Sequence, residues 1–208
     1  MKKKPTYTCT LHACYWGYIV QAIIANLAPL FFVTFQADFH ISFEQIGRLI
    51  LLTFGIQLIV DLLSVKFVDK IGYRASLIVA HVAAATGLVL LGTLPQILPE
   101  PYVGLTAAVI VYAVGGGLIE VLISPIVDSL PSEAKASSMS LLHAFYSWGQ
   151  VLVILVTTIC VGFTGDELWW VYPLLWALVP LTNLFRIIRM PLMPPPSEED
   201  KIPLKRLF

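Results

Sequence analysis

Glu120 is the residue best placed in this sequence to do chemistry. It stands in Gly115-Gly-Gly-Leu-Ile-Glu120, well inside an apolar run. A charged side chain at the centre of a bilayer costs at least about 2.5–3.5 kcal/mol, so an acid there faces a cavity or a partner, or keeps its proton. Glu120 therefore reads as a carboxylate that binds a substrate or a proton. The alternative is a neutral acid hydrogen-bonded to a neighbouring helix. Ser124 and Asp128 follow at i+4 and i+8, on one helical face with Glu120. The glycines before Glu120 allow a close backbone approach, to another helix or to a ligand, and helix packing explains them equally well.

Other polar residues fall into stripes. Thr53, Gln57 and Asp61 recur at intervals of four, a polar stripe that lines a pathway, unless Asp61 braces Lys66 or a helix end. His143, Tyr146 and Gln150 lie at i, i+3 and i+7, a combination suited to hydroxyl-rich ligands. His143 by itself also suits a wet helix end. Gln21 and Asn26 are five apart and so not on one face: one is expected towards a cavity, the other towards a helix. His81 reads as a packed or interfacial histidine. Phosphate loops, dinucleotide fingerprints, His-Glu-x-x-His and Gly-x-Ser-x-Gly are missing, and Ser147 is merely an i+4 neighbour of His143. The chain is not expected to be an enzyme, and no cofactor is expected. No metal site is expected either: Cys9, Cys14 and Cys160 lack ligand spacing and read as free thiols.

The elements that position these residues are helices in a membrane. Of 208 residues, 58% are hydrophobic and only 12% are charged, about half the share usual in soluble domains. The apolar residues come in blocks near the ~20 residues that span the hydrocarbon layer, where backbone groups must pair internally. The fold class is an all-α membrane protein with six transmembrane helices, at about 13–36, 43–65, 75–94, 102–126, 139–163 and 168–188. Residues 1–12 and 190–208 are expected as an N-terminal segment and a solvated tail. The first apolar stretch is too long for a signal-peptide core and reads as an uncleaved span. Pro95, Pro99, Pro101 and Pro131 mark breaks between spans.

Basic residues set the orientation. Lys2, Lys3, Lys4, Lys66, Lys70, Arg74, Lys135, Arg186, Arg189, Lys201, Lys205 and Arg206 fall on one side, and only Arg48 near the other. The positive-inside rule places both termini in the cytoplasm, in an integral protein expected in the plasma membrane. Trp169, Trp170 and Tyr172 fit an interfacial aromatic belt. The apolar spans imply a lipid bilayer as partner, and the formal net charge of zero suggests no nucleic acid.

The turn Val65-Lys-Phe-Val-Asp69-Lys70-Ile-Gly72-Tyr-Arg74 resembles the signature between helices 2 and 3 of the major facilitator superfamily, Gly-x-Leu-x-Asp-Arg-x-Gly-Arg-Arg. Asp69, Lys70, Gly72 and Arg74 fit it, while Val65 replaces its leading glycine and Tyr73 a basic residue. The run Phe39-His-Ile-Ser42-Phe-Glu-Gln45-Ile-Gly47 resembles the family's entry into helix 2. Gly115–Gly149 looks closest to the fucose–proton symporter branch, with Glu120 on that branch's helix-4 glutamate and His143 where it often has Gln or His. In helix 1 the sequence departs from that branch: Ala25-Asn26 stands where an aspartate precedes the proline matching Pro29.

The resemblance implies one six-helix half of a two-bundle fold, with helices 1–3 and 4–6 as inverted units. It implies a porter working by alternating access, proton-coupled, for a small and sugar-like solute. Glu120, Gln21, Asn26, His143, Tyr146 and Gln150 would bind solute or proton, and Gln57, Asp61, Ser124 and Asp128 would line the pathway. Asp69, Lys70, Gly72 and Arg74 would form a gating turn. A second six-helix half, separate or a second copy in a homodimer, is expected to complete it. The alternatives are a split or truncated fragment inactive alone, or a non-transporting membrane binding or regulatory protein.

Overall fold

The computed structural model describes residues 7–131 and 135–192, without the side chains of residues 65 and 69. Most of the terminal segments expected at 1–12 and 190–208 lies outside the described residues. Among the described residues the chain is helical and has no strand. Six segments are long and apolar enough to cross a membrane: Thr8–Phe39, Phe43–Ser64, Tyr73–Ile97, Pro101–Ser129, Lys135–Thr164 and Val171–Arg189. They are numbered here as the first to sixth spans.

The fourth span is the centre of the bundle, packed along its length on the third and flanked by the first and second. The first span also packs on the fifth, and the sixth closes against the third and first. Lipid tails are as apolar as leucine, so nothing hydrophobic pulls helices together there, and close contact depends on small residues. Gly104 lies where a Cβ would come within 2.8 Å of the Leu94 backbone, and Gly149 lets the fifth span reach Ala22 and Ile19. The second and fifth spans are the flanks, exposing Leu51, Leu58 and Leu62 on one and Val151, Leu155 and Ile159 on the other.

Two spans are broken, and proline explains both. The first runs helical over Thr8–Asn26, tightens to a single 3-10 turn at Ala28–Phe31 and resumes at Phe32–Phe39. Pro29 has no N–H to return to the Ala25 carbonyl. The sixth is interrupted at Ala177, between Val171–Trp176 and Leu178–Arg189, three residues before Pro180.

The ends are tied by polar bonds. Both described termini lie at one end, called the terminal end, where Thr10 Oγ1 donates to the Pro191 carbonyl at 2.6 Å. Arg74 donates there to the carbonyls of Ile187, Ile188 and Met190 at 3.1, 2.5 and 2.7 Å, capping the last helix. At the far end a Ser42–Gln45 capping box starts the second span.

Several boundaries differ from the sequence expectation. The turn expected over residues 66–74 shrinks to Gly72, whose φ of +87° only glycine adopts freely. The helix reaches Ile71 because lysines are good helix formers, so charge ends the membrane segment without ending the helix. Nor do Trp169 and Tyr172 form a belt. Both are buried, packed with Phe31, and Trp169 also meets Phe35 and Phe39. Only Trp170 of the three is exposed, at 37%.

Candidate functional site

Four spans converge around the glycines of the fourth. The three glycines meet different kinds of atoms. A Cβ on Gly115 would lie 2.6 Å from the Ala84 nitrogen, and one on Gly117 3.1 Å from the Gln57 Cα. Between them, a Cβ on Gly116 would lie 2.7 Å from Gln57 Nε2 and 3.0 Å from Gln21 Oε1. Gly115 and Gly117 thus serve helix packing, whereas Gly116 leaves room for two buried glutamine amides.

Glu120 sits one turn beyond Gly116 and about 7.5 Å along the axis from the midpoint of its helix, at 1.5 Å per residue. It accepts a 3.3 Å hydrogen bond from Gln21 Nε2. Its side chain is nevertheless exposed on this bundle. Gln21 is 5% exposed, and its Oε1 is buried without a hydrogen-bond partner among the described residues. Asp61 lies close enough for its charge to act on Glu120, and its Oδ1 is likewise buried and unpaired. The one ion pair among the described residues is Glu44–Arg48, at the surface. Among the described residues no cation pairs with either acid.

Towards the terminal end the wall continues in aromatic and hydroxyl groups. The Tyr18 hydroxyl and Ser124 Oγ are 2.8 Å apart. The Tyr18 ring lies 5.6 Å from that of His143 and 6.3 Å from that of Tyr146. One row therefore runs from Gln21 and Glu120 through Tyr18 and Ser124 to His143 and Tyr146. Its hydroxyls and amides exchange hydrogen bonds readily, and its carboxylate can hold a proton or a donor group.

The structure does not bring every expected residue to this row. Asn26 turns back on its own helix, its Nδ2 donating to the Ala22 carbonyl at 2.8 Å, beside the break at Pro29. Gln150 is half-buried beyond Tyr146, and Asp128 is exposed near the terminal end of the fourth span. Gln57 is buried beside Gly116. Of the expected gating turn, Lys70 is exposed and Arg74 is engaged with the last helix. The side chain of Asp69 lies outside the described residues.

The sequence reading missed Tyr18, although its spacing of three from Gln21 puts both on one face. It also missed Asn183, whose Nδ2 donates to the Ala13 carbonyl at 3.0 Å and lies 3.0 Å from His81 Nε2.

The family model described as Major Facilitator Superfamily matches residues 14–206. A comparison with curated proteins finds no match.

Proposed function

This chain belongs to the major facilitator superfamily, and from that membership we propose that the Glu120 row is the solute- and proton-binding wall of an alternating-access porter. The six helices form one half of a major-facilitator-type bundle, and the family's general activity is membrane transport of small solutes. One observation carries the finer reading: Glu120 is exposed at membrane depth, with no cation paired to it among the described residues. Such a group cannot face lipid cheaply, so it faces water, solute or protein.

Glu120 takes up and releases the proton. Gln21, Tyr18, Tyr146 and the His143 edge hold the solute, with Ser124 bonded behind Tyr18. Gln150 and Asp128 mark the two ends of the route, and Gln57 and Asp61 flank it. Asn26 acts at the Pro29 break. A sugar-like solute is supported by the hydroxyl-bonding stripe on the fifth span and by the resemblance of Gly115–Gly149 to the fucose–proton symporter branch. A second six-helix bundle, separate or a second copy, covers the wall and the apolar flanks of the second and fifth spans. The termini face the cytoplasm of the cell membrane, as the basic residues at that end favour. There Asp69, Lys70 and Gly72 form the gating turn, and Arg74 ties it to the sixth span.

The test is solute-driven proton uptake into proteoliposomes with a sugar panel, comparing the wild type with Glu120→Gln. Uptake by the wild type that disappears in the variant supports the proposal. Uptake unchanged in the variant sinks the role of Glu120. Folded protein that binds sugars without uptake, and gains none when a second bundle is co-reconstituted, favours a binding protein over a porter.

A further inference from the structure

The wall described above does not end at its polar groups. Beside Gln57 a cavity of about 50 Å³ opens between the first, second and fourth spans. Its lining includes Ala25, Ala28, Phe32, Phe35, Thr53 and Tyr112, and it lies against the break at Pro29. The break contributes to the hollow, because the chain there leaves the regular helical path.

The two regions are joined. Ile24 and Gln57 both line the cavity, and both also meet the site of a Cβ on Gly116, where Gln21 Oε1 lies 3.0 Å away. Gln21 in turn bonds Glu120. A molecule seated on Glu120 and Gln21 thus has an apolar hollow within reach of its other end. At the polar end the open valences are acceptors: the Glu120 carboxylate, the unpaired Gln21 Oε1 and the unpaired Asp61 Oδ1. An acceptor buried without a partner costs free energy that a donor from a ligand relieves.

We propose that the solute is amphipathic, with a hydrogen-bond-donor head on Glu120 and Gln21 and a short apolar arm in the cavity between Ala28, Phe32 and Tyr112. The inference rests on the reading of the Glu120 row as a solute site and adds the chemical class of the solute. The volume limits the arm. It is about a third of the ~150 Å³ hollow that holds benzene in a model protein, so it takes an alkyl group of a few carbons. A hydroxyl-bearing head and an ammonium head both satisfy the acceptors, and the two are separated experimentally.

The experiment is equilibrium binding by titration calorimetry to the full chain in lipid nanodiscs, with empty discs subtracted. The probes are methyl and n-butyl β-D-glucoside as one arm, methylamine and n-butylamine as the other. Each methylene buried is worth about fourfold in affinity, so the butyl member of the arm that binds, with three more, should be up to roughly sixtyfold tighter than the methyl one. Ala28→Leu fills the cavity and should bring the butyl probe down to the affinity of the methyl one. Phe32→Ala enlarges the cavity and should shift the optimum to a longer chain, so the pair of variants stays informative if either one folds poorly. Equal affinity across chain lengths with binding still lost in Glu120→Gln would overturn the amphipathic solute and leave the porter reading standing. A chain-length gain indifferent to Glu120→Gln would overturn both. Folded protein that binds neither arm also overturns the proposal.

Discussion

Two clusters of polar side chains lie inside this apolar bundle, and they are built in opposite ways. Near the terminal end, His81 and Asn183 are both wholly buried. His81 Nδ1 meets the Leu77 carbonyl at 3.0 Å, which can only accept, so Nδ1 carries the proton and Nε2 accepts from Asn183. Asn183 also donates to Ala13, so one amide group ties the first, third and sixth spans together. Nearer mid-membrane, Glu120 is exposed, its single described bond is long, and the amide beside it keeps a free acceptor. Donors that are enclosed and paired hold helices in place. Asn183 Oδ1 is itself buried without a partner among the described residues, as Gln21 Oε1 is, so what sets the wall apart is a carboxylate open to the outside of the bundle. Exposure of the charged group, more than pairing or residue type, separates the two roles.

The largest test of that contrast exchanges the two clusters. Asn183→Ala removes the donor shared by His81 and Ala13 and strands the buried His81 Nε2, while the Ala13 carbonyl keeps its own helical bond. At about 1–3 kcal/mol for a stranded group, the expected loss of Tm is roughly 3–10 °C. Glu120→Gln, at an exposed position, should hold stability within ~0.5 kcal/mol. Thermal unfolding of both variants in the same lipid checks this. A Glu120→Gln protein that melts like Asn183→Ala would make the carboxylate a structural group after all.

Adjacent glycines sharpen the comparison. In Gly115→Ala the new Cβ meets the Ala84 and Ala80 backbones, which move only if the third and fourth spans separate. Overpacking of this kind costs ~1–3 kcal/mol, against a gain of up to ~1 kcal/mol in helix propensity. In Gly116→Ala the Cβ meets the ends of the Gln57 and Gln21 side chains, which can swing aside. That variant should melt near the wild-type temperature yet bind solute about tenfold more weakly, because both amides leave their places. Paired melting and binding curves would settle it, and equal melting losses in the two variants would remove the distinction.

Much of this architecture was legible because membrane segments advertise themselves. Long apolar blocks and the one-sided lysines and arginines suffice for six helices and their order. Glu120 stood out because an acid in such a block is costly, and its four-residue spacing named Ser124. Asn183 and Tyr18 did not stand out. Asn183 lies in a mixed stretch, and nothing local announces that it reaches residues 81 and 13. Tyr18 is ambiguous by type, since its ring suits a core and its hydroxyl suits a site. The second helix ran past its expected end because lysines signal the membrane boundary while remaining good helix formers. Asn26 shows the converse limit: a polar residue in a span can satisfy itself on the preceding turn.

Tyr18 is where the two kinds of cluster come closest, and it offers the smallest effect and the finest test. The residue is 6% exposed, yet its hydroxyl reaches Ser124 and its ring faces His143 and Tyr146. Tyr18→Phe keeps the ring contacts and deletes one hydrogen bond, worth about 0.5–1.5 kcal/mol net. If the hydroxyl only braces the first span on the fourth, Tm falls by a few degrees and solute affinity holds. If it also presents an oxygen to the solute, affinity falls roughly three- to tenfold for a hydroxyl-bearing head, and Ser124→Ala gives a smaller loss, since Tyr18 keeps its own oxygen there. Equal losses of affinity in the two variants would mean that the pair acts only as a unit, and would move Tyr18 from the solute wall to its support.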